Sequence, residues 1–262
     1  MQKTPNTGFE KGVALVTGAT SGIGLATAQK LAECGYGVVL LGRRKERLAE
    51  AELGIKQSLA DLGRARIWTA ICDVQDRAQV KALAHQPWFN QVTLVVNNAG
   101  LALGSDRVQD GDPADWDTMI QTNVMGLLYV TRLFLPQLIQ SGRGHIVNLG
   151  SVAGRWVYPG GAVYCASKFA VRAITEGLRL DLAGRKVRVT NIEPGMVETE
   201  FSLVRFGDPV KAKKVYEGMQ PLTPEDIAET VVWCLERPAH VNIQELVIYP
   251  TDQAAVGVVD RK

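Results

Sequence analysis

Short runs of β-branched and aliphatic residues recur along the chain, each followed by a longer stretch with helical periodicity. They are VALVT at Val13 to Thr17, VVLL at Val38 to Leu41, ARIWTAI ending at Ile71, and TLVV at Thr93 to Val96. Further along come HIVNLG from His145, VRVTNIE from Val187, and VIY at Val247 to Tyr249 as a last strand. Strands that are apolar on both faces belong to a parallel sheet, because only helices on both sides bury both faces. The alternation therefore predicts an α/β fold: a single doubly wound domain, its parallel sheet of about seven strands covered by helices on both faces.

The pattern divides the chain into a flexible leader at residues 1–10, a domain at 11–250, and a C-terminal tail at 251–262. Between Pro194 and Met219 the periodicity breaks down, and the segment at about 195–219 is expected to be a flexible lid over the substrate. A helix start is expected at Leu222-Thr223-Pro224-Glu225-Asp226, with Thr223 as N-cap, Pro224 in the first turn and two acids beside it.

The 262 residues are 46% hydrophobic, enough to fill one large core without disulfides or metals. Charge is nearly balanced, 29 Lys+Arg against 27 Asp+Glu, with the basic residues scattered. This argues against a nucleic-acid partner and for a small-molecule one. No apolar run is long enough to span a bilayer, the first ten residues lack the apolar stretch of a signal peptide, and the four cysteines show no CxxC pair. A cytoplasmic protein with reduced thiols and no membrane partner is expected. His85, His145 and His240 have neither metal nor triad spacing, so no metal is expected and structural roles are.

Immediately after the first run comes TGATSGIG, Thr17 to Gly24, leading into a helical pattern. A strand that delivers the chain to a tight turn at Gly18, Gly22 and Gly24 lets the next helix aim its free amides at a pyrophosphate. That makes the fold Rossmann-type, although the GxxxGxG spacing differs from GxGxxG, and no GK[ST] follows as a P-loop requires. The second run ends in Gly42-Arg43-Arg44 where an NAD enzyme would carry an acid for the ribose. Arginines there suit a ribose 2′-phosphate, which points to NADP; two solvated arginines at a helix start are the alternative. Asp73 is placed to accept from the adenine amino group or to cap a turn.

Tyr164 and Lys168 lie four apart in a helical stretch and so share one face. A neighbouring ammonium stabilises phenolate and brings a phenol toward a working pKa. Ser151 follows a strand at the carboxyl edge of the sheet, where its hydroxyl can bind a substrate oxygen. Asn123 sits inside a helical pattern where an amide is a mediocre helix former, which suggests a kink and a held water. A turn serine and a satisfied buried amide are the plainer alternatives for these two.

Taken together, TGATSGIG, NNAG at Asn97 to Gly100, Asn123, Ser151, YCASK at Tyr164, and EPG at Glu193 to Gly195 resemble the short-chain dehydrogenase/reductase family, in its order and near its spacing. The resemblance runs from about Lys11 to Tyr249. It implies an oxidoreductase in which Tyr164 is the general acid/base, Lys168 lowers its pKa and binds the nicotinamide ribose, Ser151 positions the reacting oxygen, and Asn123 holds a relay water. It implies further cofactor contacts at Thr20, Ser21, Ile23, Val74, Pro194, Gly195 and Val197, with Asn97, Ala99 and Gly100 on the adenosine side and Thr199 at the carboxamide.

A narrower likeness, carried by SVAGRWVYPGGAVYCASKFAVRA, EPGMVETEFSLVRF and LTPEDIAE, is to the NADP-dependent 3-hydroxy acid dehydrogenases, which act on serine, allo-threonine and related acids. That subgroup implies a homotetramer. A substrate carboxylate needs a cation, and Arg155 and Arg205 are the candidates, each with a plain surface role as its alternative. Two other readings are a broad NADPH-dependent carbonyl reductase on the same scaffold and a non-catalytic dinucleotide-binding protein.

Overall fold

Strand β1 (Val13–Thr17) lies in the interior of a seven-stranded sheet in which every pair is parallel. The computed structural model describes residues 11–59 and 66–262; the leader expected at 1–10 lies outside the described residues. To one side of β1 run β2 (Gly37–Gly42) and β3 (Ile67–Ile71). To the other run β4 (Val92–Asn97), β5 (His145–Leu149), β6 (Arg188–Pro194) and β7 (Glu245–Ile248). The order 3-2-1-4-5-6-7 reverses direction between β1 and β4, and at that switch point the flanking loops part and leave a crevice.

Two buried clusters, one on each face of the sheet, explain the continuous apolar runs. Alternate residues Ala14, Val16, Val38, Leu40, Leu94 and Val96 pack against α1 (Gly22–Glu33), α2 (Lys45–Ser58) and α9 (Pro224–Leu235). Their neighbours Val13, Leu15, Val39, Leu41 and Val95 pack against α3 (Arg77–Ala82) and α5 (Leu127–Ser141). The expected strands are present, displaced at their ends by at most a few residues; the last begins at Glu245 rather than Val247. The glycine turn fits closely: a side chain at Gly24 would run into the Gly18 carbonyl and the Asn98 amide, so glycine lets α1 press onto the end of β1.

The chain departs from expectation in two places, the lid segment and the tail, and at Asn123 it shows the expected distortion of the helix. The segment expected to be an irregular lid folds into two short helices, α7 (Phe201–Phe206) and α8 (Pro209–Lys214). Asp208 caps the second by accepting from the amides of Val210 and Lys211, with Pro209 in its first turn. The expected tail forms a hairpin of β8 (Gln253–Ala255) and β9 (Val258–Val259). Between α4 (Pro113–Ile120) and α5 the helix widens into a π turn, Gln121–Gly126, which holds Asn123.

At α9 the expected helix start is present as a capping box. The Thr223 hydroxyl accepts from the Asp226 amide at 3.2 Å, and the Asp226 carboxylate accepts from the Thr223 amide at 2.8 Å. Thr223→Ala should lower stability by about 1 kcal/mol, read as a shifted denaturant midpoint at unchanged turnover.

Candidate active site

A crevice of about 600 Å³ opens above the carboxyl ends of the strands. Its floor is stitched together at the switch point. The Thr17 hydroxyl accepts from the amides of Asn98 and Ala99 at 3.0 and 2.9 Å, and the Asn98 side chain donates back to the Thr17 and Gly18 carbonyls at 2.9 and 3.2 Å. Gly18 and Gly22 take positive φ, 65° and 52°, a conformation that glycine adopts without strain. Ser21 is the N-cap of α1, yet its hydroxyl makes no capping bond, which leaves the first amides of the helix open toward the crevice. An anion is what such an end receives best.

At the end nearest β2, Arg43 and Arg44 both line the crevice. One Arg44 Nη donates to the Thr20 and Ser21 hydroxyls at 2.7 and 3.2 Å, and the other reaches Glu200 at 3.4 Å. Arg43 pairs with Asp73 at 3.4 Å. Asp73 also accepts from the Gln75 amide, so it caps a turn and faces the crevice at once. Thr20, Ser21, Ile23, Val74, Ala99, Gly100, Pro194, Gly195, Val197 and Thr199 line the same space. The residues present could hold a dinucleotide phosphate on the helix end and a ribose phosphate on the arginines.

At the other end, Ser151, Tyr164 and Lys168 converge. Tyr164 and Lys168 stand one turn apart on α6 (Ala162–Asp181), and the Lys168 ammonium lies 5.9 Å from the Tyr164 ring centre. Lys168 Nζ donates to the Leu149 carbonyl at 2.8 Å, which fixes the side chain against the end of β5. Burial lowers the Lys168 pKa to about 8. Burial also raises that of Tyr164, and Tyr158 nearby adds to the shift, while a hydrogen bond with Ser151 works against it. Burial thus outweighs the Ser151 hydrogen bond and the Arg205 charge, the two effects that favour phenolate. The Ser151 hydroxyl faces the Pro194 carbonyl at 3.5 Å and accepts from the Ala153 amide at 3.1 Å.

Four expected site residues lie elsewhere. Asn97 is buried behind the crevice, donating to Thr131 and Asn148 at 2.9 Å, and its neighbour Asn98 faces the site. Alternation along β4 explains this, since Asn97 shares the face of Val95 that packs on α5. Gly24 shapes the turn from beneath without lining the crevice. Asn123 does not line the crevice: its side-chain oxygen accepts from the Leu101 amide at 2.9 Å, and its amide donates to the Leu101 carbonyl at 2.8 Å and to Ser167 at 3.0 Å. Arg155 does not line the crevice either; its guanidinium is taken by Glu193 and Glu245.

Arg205 does line it, donating to the Tyr158 hydroxyl at 2.9 Å and the Gly104 carbonyl at 3.0 Å. Tyr158 and Gln253 went unnoticed in the sequence. Gln253 accepts from the Met196 amide at 2.8 Å and, with Val256 and Gly257, brings the C-terminal hairpin into the crevice wall. The chain end also ties down the lid, with Lys262 donating to the Gly218 carbonyl at 2.8 Å and Arg261 to the carbonyls of Val215 and Glu217.

Comparison with known proteins agrees with this geometry. The model of the short chain dehydrogenase family matches residues 12–206, well over half of the chain. The chain belongs to that family and is an oxidoreductase. It is 48% identical over 254 residues to sulfoacetaldehyde reductase 2 of Chromohalobacter salexigens, covering 95% of this chain and 98% of the relative. It is 46% identical over 251 residues to an NADP-dependent 3-hydroxy acid dehydrogenase of Escherichia coli, covering 94% and 98%. Among solved structures, the closed form of serine dehydrogenase complexed with NADP+ superposes with a TM-score of 0.85 at 45% identity, covering 95% of this chain and 99% of the other.

The buried lysine has a thermodynamic signature. Below pH 8 Lys168 is charged in both states and folding bears the full cost of burying the charge; from about 8 to 10.5 only the unfolded chain keeps the proton, and the cost fades. The stability of Lys168→Met relative to the parent should therefore be highest below pH 8 and decline as the pH approaches 10.5, measured by denaturant unfolding across that range. A difference that is flat with pH contradicts the burial effect.

Proposed function

We propose that the protein transfers hydride between NADP(H) and a small 3-hydroxy acid or its carbonyl counterpart, with Tyr164 as general acid/base. The observation that carries this reading is the convergence of Ser151, Tyr164 and Lys168 in one crevice with the open end of α1 and two arginines. The nicotinamide, when bound, supplies the hydride in reduction and takes it in oxidation.

The protein holds the substrate oxygen and moves one proton. Ser151 and Tyr164 grip the reacting oxygen with their hydroxyls. In reduction the Tyr164 phenol gives its proton to the forming alkoxide; in oxidation the phenolate takes the alcohol proton. Burial makes phenolate costly; the Ser151 hydrogen bond and the Arg205 charge favour it, and we assign the same role to the Lys168 ammonium, 5.9 Å from the ring centre. Arg205, in the crevice wall beside Tyr158, is the cation for an acidic substrate group. The relatives' names fit an anion separated from the reacting carbon by one carbon: a carboxylate in 3-hydroxy acids, a sulfonate in sulfoacetaldehyde. We assign Arg43 and Arg44 to the ribose phosphate.

A homotetramer fits apolar side chains left exposed on the outer elements, Phe169 and Leu180 on α6, Trp233 on α9 and Val247 on the edge strand β7. The four cysteines are free thiols, and no helix among the described residues is long and apolar enough to cross a membrane; a cytoplasmic location agrees with both.

Steady-state assays with NADP on L-serine, 3-hydroxypropionate, 3-hydroxyisobutyrate and uncharged alcohols test this reading. The acids should dominate in kcat/KM, and equal values for the uncharged alcohols would favour a general carbonyl reductase. Tyr164→Phe should bind NADP normally and lose ~10²-fold or more in kcat, and wild-type rates would refute its assigned role. Replacing Arg43 and Arg44 with Ala should weaken NADP far more than NAD in a binding titration.

A further inference from the structure

We propose that Arg155 and Glu193 form a positioning pair that holds the Ser151 turn in register with the helix carrying Tyr164 and Lys168. The inference rests on the assignment of Ser151 to the substrate oxygen made above.

Ser151 opens a single 3₁₀ turn, Val152–Gly154, and Arg155 closes it. From that position Arg155 Nε donates to the Glu193 carboxylate and one of its Nη groups to Glu245. Glu245 on β7 accepts in turn from Arg172 Nε at 3.0 Å. Arg172 follows Lys168 by four residues, one turn of α6. Four charged side chains thus join the turn after β5, the end of β6, the edge strand and the catalytic helix.

Glu193 ends this chain of charges on the side of β6, at 0% exposure. Its second oxygen accepts from the Asn191 amide at 2.6 Å, so Arg155 is the cation that balances a fully buried carboxylate. Burial raises the Glu193 pKa while Arg155 pulls it back, the sign of a group that depends on its partner. The next residue, Pro194, offers its carbonyl to Ser151, and a side chain at Gly150 would run into Asn191 and Glu193. The backbone on both sides of Ser151 is therefore braced, by Gly150 against Glu193 before it and by Arg155 after it. A guanidinium committed in this way is not available to a substrate carboxylate, and the reacting oxygen feels Arg155 only through Ser151.

The test compares Arg155→Met, Glu193→Gln and Arg155→Lys with the parent, using NADP with 3-hydroxypropionate and its uncharged methyl ester. Both disrupting variants should lose kcat on both substrates by roughly 10-fold or more, within the ~10²-fold that misplacing a reacting group by about 1 Å costs. KM and the NADP dissociation constant, read by fluorescence titration, should stay near parental values, and Arg155→Lys should regain most of the lost rate. A loss confined to KM for the acid in Arg155→Met, with Glu193→Gln unaffected, would make Arg155 a substrate ligand and overturn the proposal.

Hydrogen exchange across residues 150–156 is read on the same proteins without substrate. Faster exchange there, with the glycine turn unchanged, supports the pair; unchanged exchange in both disrupting variants overturns it. If the parent turns over neither substrate, the functional reading fails on its own and the exchange data still decide whether the pair holds the turn. Should Arg155→Met not fold, the isosteric Glu193→Gln and the milder Arg155→Lys carry both comparisons.

Discussion

The parting of two neighbouring strands organises this molecule. Where the loops after β1 and β4 leave in opposite directions, the hydrogen bonds between Thr17 and the Asn98–Ala99 backbone keep the strand ends together while the chain above them opens. The glycine turn, the exposed amides of α1 and the wall formed by Asn98 to Gly100 all exist because of that divergence. Ser151, in the turn after β5, and Tyr164 and Lys168, on α6, are set against the same opening.

Electrostatics divides the crevice into two regimes. Around Arg43 and Arg44 the charges are solvated, and the pairs Arg43–Asp73 and Arg44–Glu200 lie in a high dielectric where each contact is weak. At the catalytic end Tyr164 and Lys168 are buried, and dehydration moves both away from their charged forms. On the proposed reading, binding is assembled from many replaceable contacts, and proton transfer depends on a few groups whose surroundings set their acidity.

Much of this was legible in the sequence because period and position carry it. Parallel strands buried on both faces announce themselves as unbroken apolar runs; helical spacing puts Tyr164 and Lys168 on one face, and the family resemblance singles that pair out. What stayed hidden depended on partners distant in sequence. Asn97 and Asn98 are chemically identical, and only the pleat of β4 separates the buried amide from the one facing the site. Arg155 reads as a free cation until Glu193 and Glu245 are brought beside it from two other strands. Asn123 was rightly suspected of distorting its helix, but the recipient of its amide, the Leu101 backbone, belongs to a loop far up the chain. The C-terminal hairpin carries no motif, and its Gln253 matters only because the last strand returns the chain to the crevice.

The arginines at the end of β2 stand largely in solvent, with side chains 59% and 48% exposed, whereas the proton-transfer residues are enclosed by the core. On the proposed reading, preference for one dinucleotide over another is therefore written where substitutions barely disturb folding, and the chemical step where almost any change is felt throughout. A lineage built on this scaffold is free to drift in its choice of redox partner while its catalytic step stays fixed.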